Sequence, residues 1–383
     1  MVRKVGIVSV NQSQFIGKQV DKHLTELAYS VVKPCLEETG LKFATDGTGI
    51  DHQVIVTNDH WDGQTLSDVK YHDIMGGNMR DLTRVTQDGS EAVMYAVAAI
   101  QSGHVDVVMV MGVNKETMIR SRNALLNFSF EPIFDRPLGF DYRIAAALQA
   151  EAYMNKYGVT REQAAKVVAK NTRNAANNPF FSKTKAITVD EVMQSPMIAD
   201  PLSVLDEYPV SEGAVCMVLA SEEKAKKLCE NPIWITGCGT CKDAYDLGTR
   251  DLTSAKALEL AADTAYKAAG ITAKDASLFM VSDSYSYQEL IWTENLGLCE
   301  KGEGGKLIDS GETEIGGSMP VNPSGGVIAG VPILIQGLNR IAEATYQLQG
   351  KAGVNQVKDA KIAVVQSNFG PAGQLQTVIV LSK

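Results

Sequence analysis

Few stretches of this sequence have the residue types and spacing that chemistry needs. Cys238-Gly-Thr-Cys241 has the spacing of half a zinc site, but a tetrahedral site needs a second pair or two histidines at ribbon-like spacing, and none follows. The pair therefore reads as two thiols in a strand-to-loop turn, and no metal is expected. His60, in Asn58-Asp59-His60-Trp61-Asp62-Gly63, is one of five histidines, and histidine is the side chain best suited to move a proton near neutral pH. A hydrogen-bonded loop histidine is the plainer reading. Asp88 opens Asp88-Gly89-Ser90-Glu91, which reads as a helix N-cap with its capping-box partner three residues on. The glycines of Gly302-Glu-Gly-Gly305 and Gly316-Gly317 lack the strand-loop-helix context of a phosphate cradle and read as turns.

The chain has 383 residues, with 36 Lys+Arg against 45 Asp+Glu and a formal charge of −9. No run of basic residues occurs, so a phosphate-backbone binder is excluded and no nucleic acid is expected. Hydrophobic residues make up 45% and charged residues 21%, which leaves no room for a long disordered tract. The start, MVRKVGIVSVNQSQF, has too short an apolar stretch for a signal peptide, and no window of about 18 apolar residues suggests a membrane span. A cytoplasmic location is the expectation. Six cysteines are too sparse for a disulfide framework, and Cys216 and Cys299 read as small core residues.

Short apolar runs alternate with helical stretches, the pattern of an α/β layered fold. Residues 4–10 read as a strand, Leu24 to Glu38 as a helix ending near Gly40, and Val54-Ile55-Val56 as a second strand. The helix from Ala92 to Ile100 is apolar almost all round, so it belongs inside the protein. It stops at Ser102-Gly103, and Val105 to Met111 follows as a strand covered on both faces. The second part repeats this: a helix from Thr253 to Ala269 closed by Gly270, a strand from Leu278 to Val281, a helix from Leu334 to Leu348, and a strand from Ile362 to Val365. Two such halves suggest an internal duplication. Between them, residues 114–205 look less regular, Asn127 to Asp141 most of all, and long loops in compact folds are usually functional.

Four stretches carry a resemblance: Ile187-Thr-Val-Asp-Glu-Val-Met-Gln-Ser-Pro-Met-Ile-Ala-Asp-Pro-Leu202, Pro209-Val-Ser-Glu-Gly-Ala214, Glu294-Asn-Leu-Gly-Leu-Cys-Glu-Lys-Gly-Glu-Gly-Gly-Lys306 and Val321-Asn-Pro-Ser-Gly-Gly326. In their order and spacing they resemble the thiolase superfamily, above all its sterol-carrier-protein-type and archaeal acetyl-CoA acetyltransferase branches. The resemblance runs from Val5 to Leu381. It implies a thiolase fold of five layers, α-β-α-β-α, from two related halves placed at 1–250 and 251–383. A loop domain at about 115–240 would cover an acyl-CoA site and support dimerisation.

The same resemblance shows where the family's reacting groups are missing. Its nucleophilic cysteine, set at the start of the buried helix where the helix end favours a thiolate, falls on Thr86 of Thr86-Gln87-Asp88-Gly89. The histidine of its Gly-His-Pro loop falls on Val331, the second acid or base on Ser367, and a His-Asp pair on Ser282-Asp283. A threonine without an adjacent base is a poor nucleophile, so ordinary thiolysis is not expected. Thiolase-like aldolases, which are understood to use tyrosines, point to Tyr285 and Tyr287 as proton carriers. Packed rings are the alternative for both.

His60 lies in a loop that approaches the reacting centre in relatives, and Asp141-Tyr142 could approach the acyl group. By the same resemblance Asp88, Gly89, Asn322, Gly325, Gly326, Asn368 and Gly370 are candidates for holding coenzyme A as the acyl-CoA substrate. The implied function is aldol or retro-aldol chemistry on a β-hydroxyacyl-CoA. The alternatives are a non-catalytic or co-catalytic subunit of a heteromeric acyltransferase and an atypical C-acyltransferase. A homodimer is the implied assembly, or a heteromer with a small zinc-ribbon and OB-fold protein or with another thiolase-like chain.

Overall fold

The computed structural model describes residues 3–43, 49–181 and 183–383. Strand β1 (Val5–Gln12) leads to helix α1 (Leu24–Thr39), β2 (His52–Val56), the short α2 (Asp59–Asp62), β3 (Leu82–Val85), α3 (Gly89–Gln101) and β4 (Val107–Lys115). An excursion follows with α4 (Arg122–Asn127), α5 (Tyr142–Tyr157), α6 (Arg161–Ala176), α7 (Val189–Gln194) and a ribbon of β5 (Met197–Ala199) and β6 (Leu202–Ser203). β7 (Glu212–Ser221) and α8 (Glu222–Leu228) complete this half. The second half runs β8 (Ile233–Lys242), α9 (Lys256–Ala269), β9 (Leu278–Met280), α10 (Ser286–Asn295), α11 (Gly304–Ser310), α12 (Gln336–Gln349), β10 (Ile362–Phe369) and β11 (Leu375–Ser382).

Nine strands hydrogen-bond in the order β3-β2-β4-β7-β1-β8-β11-β10-β9. Read outward from the β1–β8 junction, one arm is β1-β7-β4-β2-β3 and the other β8-β11-β10-β9. Each arm follows the same path, strand-helix-strand and then buried helix-strand-strand, so the duplication is visible as topology. The second copy begins with β8, which pairs with β11, upstream of the boundary expected at 250. It has no counterpart of β3; Val321 bridges the edge strand β9 at Phe279 instead.

Strand alternation sends each arm's side chains to two faces. The inner faces of both arms, with Val54 and Val110 from one and Val365 and Ile379 from the other, share one core with Ala92 and Ala96 of α3 and Leu338 and Ile341 of α12. On the outer side of the first arm, Leu27 and Val31 of α1 pack with Ile55, Met109 and Met111. On the outer side of the second, Ala261 and Ala265 of α9 and Trp292 of α10 pack with Val364 and Val378. The layers are therefore α-β-α-β-α, with α3 and α12 in the middle.

Asp88 sits where those two central helices start. One carboxylate oxygen accepts the Ser90 N–H at 2.9 Å and caps α3, and the other accepts the Gly337 N–H of α12 at 3.1 Å. Two helix ends, each with positive partial charge, thus face one buried carboxylate. The cap forms through Ser90; Glu91 contributes only its backbone N–H to the Asp88 carbonyl. Glycine is required for this approach: a Cβ on Gly337 would stand 2.2 Å from the Asp88 carboxylate, and one on Gly89 2.5 Å from Leu338.

The stretch expected to be irregular, 114–205, contains two sixteen-residue helices, α5 and α6. Asp141 caps α5 through the Ile144 N–H at 3.0 Å, and Thr160 with Gln163 forms a capping box on α6. Their buried faces are rich in alanine, among them Ala145, Ala146, Ala150, Ala164 and Ala165, so the usual stripe of large apolar residues is faint. Residues 127–141 are largely irregular, as the sequence suggests.

Gly337→Ala forces a methyl group into the Asp88 contact, and overpacking at a buried helix start is expected to cost about 3 kcal/mol or more. Urea unfolding measures this; an unchanged midpoint would show that the two helix starts are not held together as described.

Candidate active site

Three loops meet beyond the ends of the strands, and one segment, Asp206 to Ser211, ties them together. Asp206 accepts the Ser203 N–H at 2.8 Å and the Ser286 hydroxyl at 2.6 Å. The Tyr208 N–H donates to the Ser284 carbonyl at 2.9 Å, and the Ser211 hydroxyl to the Gly330 carbonyl at 2.5 Å. Glu116, just past β4, accepts the Ser211 N–H at 3.1 Å and the Ile333 N–H at 3.2 Å. The loop carrying Val331 is thereby fixed to the one carrying Glu207 and Tyr208.

Charged and phenolic groups converge on this segment. Arg122, the first residue of α4, donates from Nη2 to Glu207 Oε1 at 2.9 Å, and both terminal nitrogens reach the Tyr208 carbonyl at 3.2 and 3.3 Å. Its guanidinium carbon lies 4.2 Å from the centre of the Tyr208 ring, a cation–π contact. Arg143 of α5 donates from Nη2 to Glu207 Oε2 at 2.7 Å. The Tyr285 hydroxyl donates to Glu207 Oε1 at 3.3 Å. Arg122, Glu207, Tyr208 and Tyr285 are all buried.

Burial governs the ionisation here. It pushes the Glu116 carboxyl up to about 7, against the pull of Arg122 and of the two backbone N–H groups. It holds the Tyr285 phenol well above its ordinary value, with the Glu207 charge adding to the shift. The Tyr208 phenol is also raised by burial, and Arg122 draws it back. Both tyrosines are therefore neutral donors at physiological pH.

Two hollows adjoin this cluster. A groove of about 680 Å3 runs between Phe15 and Ile16, Val168, Lys183 to Ile187, Leu205, Glu207 to Ser211 and Ile328 to Gly330, with Arg122 and Arg143 in its wall. Behind it lies an inner cavity of about 10 Å3, lined by Tyr142, Ser284, Tyr285, Ile333, Asn368 and Gly370 among others. That is room for about one water molecule. Tyr208 lines both hollows.

Of the residues singled out in the sequence, Tyr285, Asn368 and Gly370 meet at the inner cavity. Tyr142, named beside Asp141, joins them. The Tyr287 hydroxyl instead donates to Gln149 at 2.9 Å within packed surroundings. Asp283, raised to about 7 by burial, accepts the Asn171 amide at 2.6 Å and the Val327 N–H. A Cβ on Gly326 would fall 2.0 Å from its carboxylate. Asn322 donates to Glu289 at 3.0 Å and accepts the Val281 N–H at 2.9 Å, while the Gly325 carbonyl accepts Arg340. Asn322, Gly325, Gly326 and Asp283 thus belong to a buried polar network that fixes the 320–327 loop.

Ser367 is buried with its oxygen 3.2 Å from that of Ser282, and Val331 lies in the central core. Asp88 and Gly89 are taken up by the helix starts described above. His60 is exposed on α2. Thr86 is half-buried, and its carbonyl accepts the Asn58 amide at 3.0 Å.

Glu116, Arg122, Arg143, Glu207 and Tyr208 escape the sequence reading. Glu207-Tyr208 directly precedes Pro209-Val-Ser-Glu-Gly-Ala214, so an acid and a phenol against that motif were the available signal; the arginines lie too far off in sequence to give one. Cys238 and Cys241 lie three residues apart on β8 and contact different cores, Cys238 the central one and Cys241 the outer one. Burial raises the Cys238 thiol to about 12. Among the described residues, no cluster of three His, Cys, Asp or Glu side chains is placed to hold a metal, and no helix is long and apolar enough to cross a membrane.

Residues 5–223 match the family model described as thiolase, N-terminal domain, and residues 239–383 the one described as thiolase C-terminal domain-like. The acetyl-CoA acetyltransferase of Methanothermobacter thermautotrophicus is 35% identical over 297 residues, 77% of either chain. Benzoylsuccinyl-CoA thiolase subunit BbsB of Thauera aromatica is 31% identical over 272 residues, 70% of either chain. The solved structure of the Ltp2-ChsH2(DUF35) aldolase superposes with a TM-score of 0.83 over 99% of this chain and 97% of that one, at 24% identity. That likeness concerns the fold.

Glu116 generates a pH-dependent stability. It ionises near 4.5 in the unfolded chain and near 7 when folded, so the folded state binds the proton more tightly. Stability therefore declines as pH rises from about 4.5 to about 7, by up to about 1.4 kcal/mol per pH unit for one group. Glu116→Gln is expected to flatten part of that decline in urea midpoints between pH 5 and 7, with the other carboxyls that burial raises, Asp283, Asp88 and Glu343 among them, supplying what remains; an unchanged slope would contradict the placement of Glu116.

Proposed function

The chain belongs to the thiolase superfamily, and from that membership we propose that it makes or breaks a carbon–carbon bond in an acyl-CoA without a cysteine nucleophile. This reading rests on the motif match that sets Thr86 at the family's nucleophile position, and the observation that supports it is a tyrosine-lined cavity beside the groove. The likeness in fold to a protein named as an aldolase supports the same choice. Lys183 and Lys185 stand at the groove, where their ammonium groups suit the phosphates of coenzyme A.

The reaction we propose is retro-aldol cleavage of a β-hydroxyacyl-CoA. The substrate hydroxyl gives its proton to Tyr285 as Tyr285 passes its own to Glu207, to which it is already hydrogen-bonded. The electron pair left on oxygen by the departing proton forms the new carbonyl, the Cα–Cβ bond breaks, and its electron pair moves into the thioester enolate. Carbon then takes back a proton from the same relay, leaving a carbonyl compound and a shortened acyl-CoA. Asn368 and Gly370 shape the cavity beside the reacting atoms, and Tyr287, Asp283 and Ser367 support its walls. His60 has no part in this relay.

A second reading is that the chain works as one subunit of a heteromer. The name of the Thauera relative, a thiolase subunit, favours it, as does the two-component name of the aldolase, which includes a DUF35 protein. Co-purification from the native source tests this.

With a β-hydroxyacyl-CoA that the enzyme cleaves, Tyr285→Phe is expected to lower kcat by about 100-fold or more, and intact-mass spectra of the wild type with acyl-CoA are expected to show no acylated chain. Unimpaired Tyr285→Phe would remove Tyr285 from the reaction. An acyl group on Thr86 would favour an atypical C-acyltransferase instead.

A further inference from the structure

Tyr208 has a buried hydroxyl with no hydrogen-bond partner among the described residues, although its side chain is only 2% exposed. Leaving such a group unpaired opposes folding, and folded proteins rarely do so without reason. The surroundings do not explain it as packing. Its backbone is held on both sides, N–H by Ser284 and carbonyl by Arg122, and the Arg122 guanidinium stacks on its ring. Phenylalanine would fill the same space with nothing left unpaired.

Among the described residues, Tyr208 is the one that lines both the groove and the inner cavity. Around it two guanidinium groups face two carboxyl groups, and burial raises one of these, Glu116. Arg122 and Arg143 share a single carboxylate, Glu207, and Arg122 stacks on the Tyr208 ring. A guanidinium over a phenol strengthens the phenol as a hydrogen-bond donor and favours negative charge on the oxygen it binds. Glu116, 3.8 Å from Arg122, is the other acidic group facing this cluster.

We infer that the Tyr208 hydroxyl is the donor that binds the thioester oxygen of the substrate, holding it at the junction of groove and cavity while negative charge develops there. This rests on the acyl-CoA reading above and divides the chemistry between two phenols. Tyr285 moves the proton of the β-hydroxyl, and Tyr208 holds the oxygen of the enolate. No covalent bond to Tyr208 forms. The site is preorganised because Arg122 and the Ser284 carbonyl fix the ring before substrate arrives.

This assignment gives Tyr208→Phe two effects of opposite sign. Without ligand, the variant loses an unpaired buried hydroxyl, so its thermal midpoint is expected to equal or exceed that of the wild type by about 1–3 °C. Its affinity for acetyl-CoA, measured by calorimetry, is expected to fall about 5–10-fold. The infrared band of acetyl-CoA carrying carbon-13 at the thioester carbonyl is expected to sit lower when bound to the wild type than when bound to the variant. A lowered midpoint with unchanged affinity and band position would make Tyr208 a packing residue and overturn the assignment while leaving the acyl-CoA reading intact. Failure of the wild type to bind either acetyl-CoA or β-hydroxybutyryl-CoA would overturn both.

Discussion

A single buried carboxylate, Asp88, sets the geometry on which everything else depends. It accepts hydrogen bonds from the starts of both central helices, and those helices are the layer against which both arms of the sheet pack. A carboxylate between two helix N-termini is favoured only at short range, so the helix starts approach until Gly337 meets Asp88 and Gly89 meets Leu338. The loops at this end are placed as a consequence. The Thr86 loop precedes α3, the loop bearing Val331 and Ile333 precedes α12, and Ser367 stands on the strand that follows α12.

The candidate site is built from the other side by a different set of constraints. Glu116 pins the segment Asp206–Ser211 to the Ile333 loop, and Arg122 and Arg143 close on Glu207 from α4 and α5. The excursion between the two halves thus supplies the charged residues, and the duplicated halves supply the frame. Tyr285 comes from the second half and Tyr208 from the excursion, so the two phenols meet only in the folded chain. A buried ion-pair cluster of this kind is a weak source of stability, because desolvation offsets much of the Coulomb gain. Its use is in holding geometry and in strengthening nearby donors.

Much of the frame was legible in the sequence because it is carried by strong, short-range patterns. The apolar run of β4, the all-round apolar α3 and the glycine stop of α9 each announce an element directly. α5 and α6 were hard to see because alanine buries little area per residue, so periodicity faded although the caps at Asp141 and Thr160 were present. For the site, motif matching sets Thr86, Val331 and Ser367 where the resemblance expects reacting groups, and Tyr285 lines the inner cavity. Tyr287 did not, since two residues along an N-terminal helical turn point to different faces. The glycines of the 320–327 loop look like ligand-binding text but pack against Asp283 and Ala175. Arg122 gives no signal because its importance lies in a contact across 86 residues of chain, whereas Tyr208 offers only its place before the Pro209–Ala214 motif.

The central claim is that carbon–carbon bond chemistry proceeds here without transfer of an acyl group to sulfur or oxygen of the protein and without a second coenzyme A. It is tested most directly by incubating the purified protein with a β-hydroxyacyl-CoA and, separately, a β-ketoacyl-CoA in the presence of isotopically labelled free coenzyme A, and following the label by mass spectrometry. The account predicts a carbonyl product and shortened acyl-CoA from the β-hydroxy ester, with no label in any thioester. Labelled acyl-CoA from the β-keto ester would mean thiolysis and would contradict it.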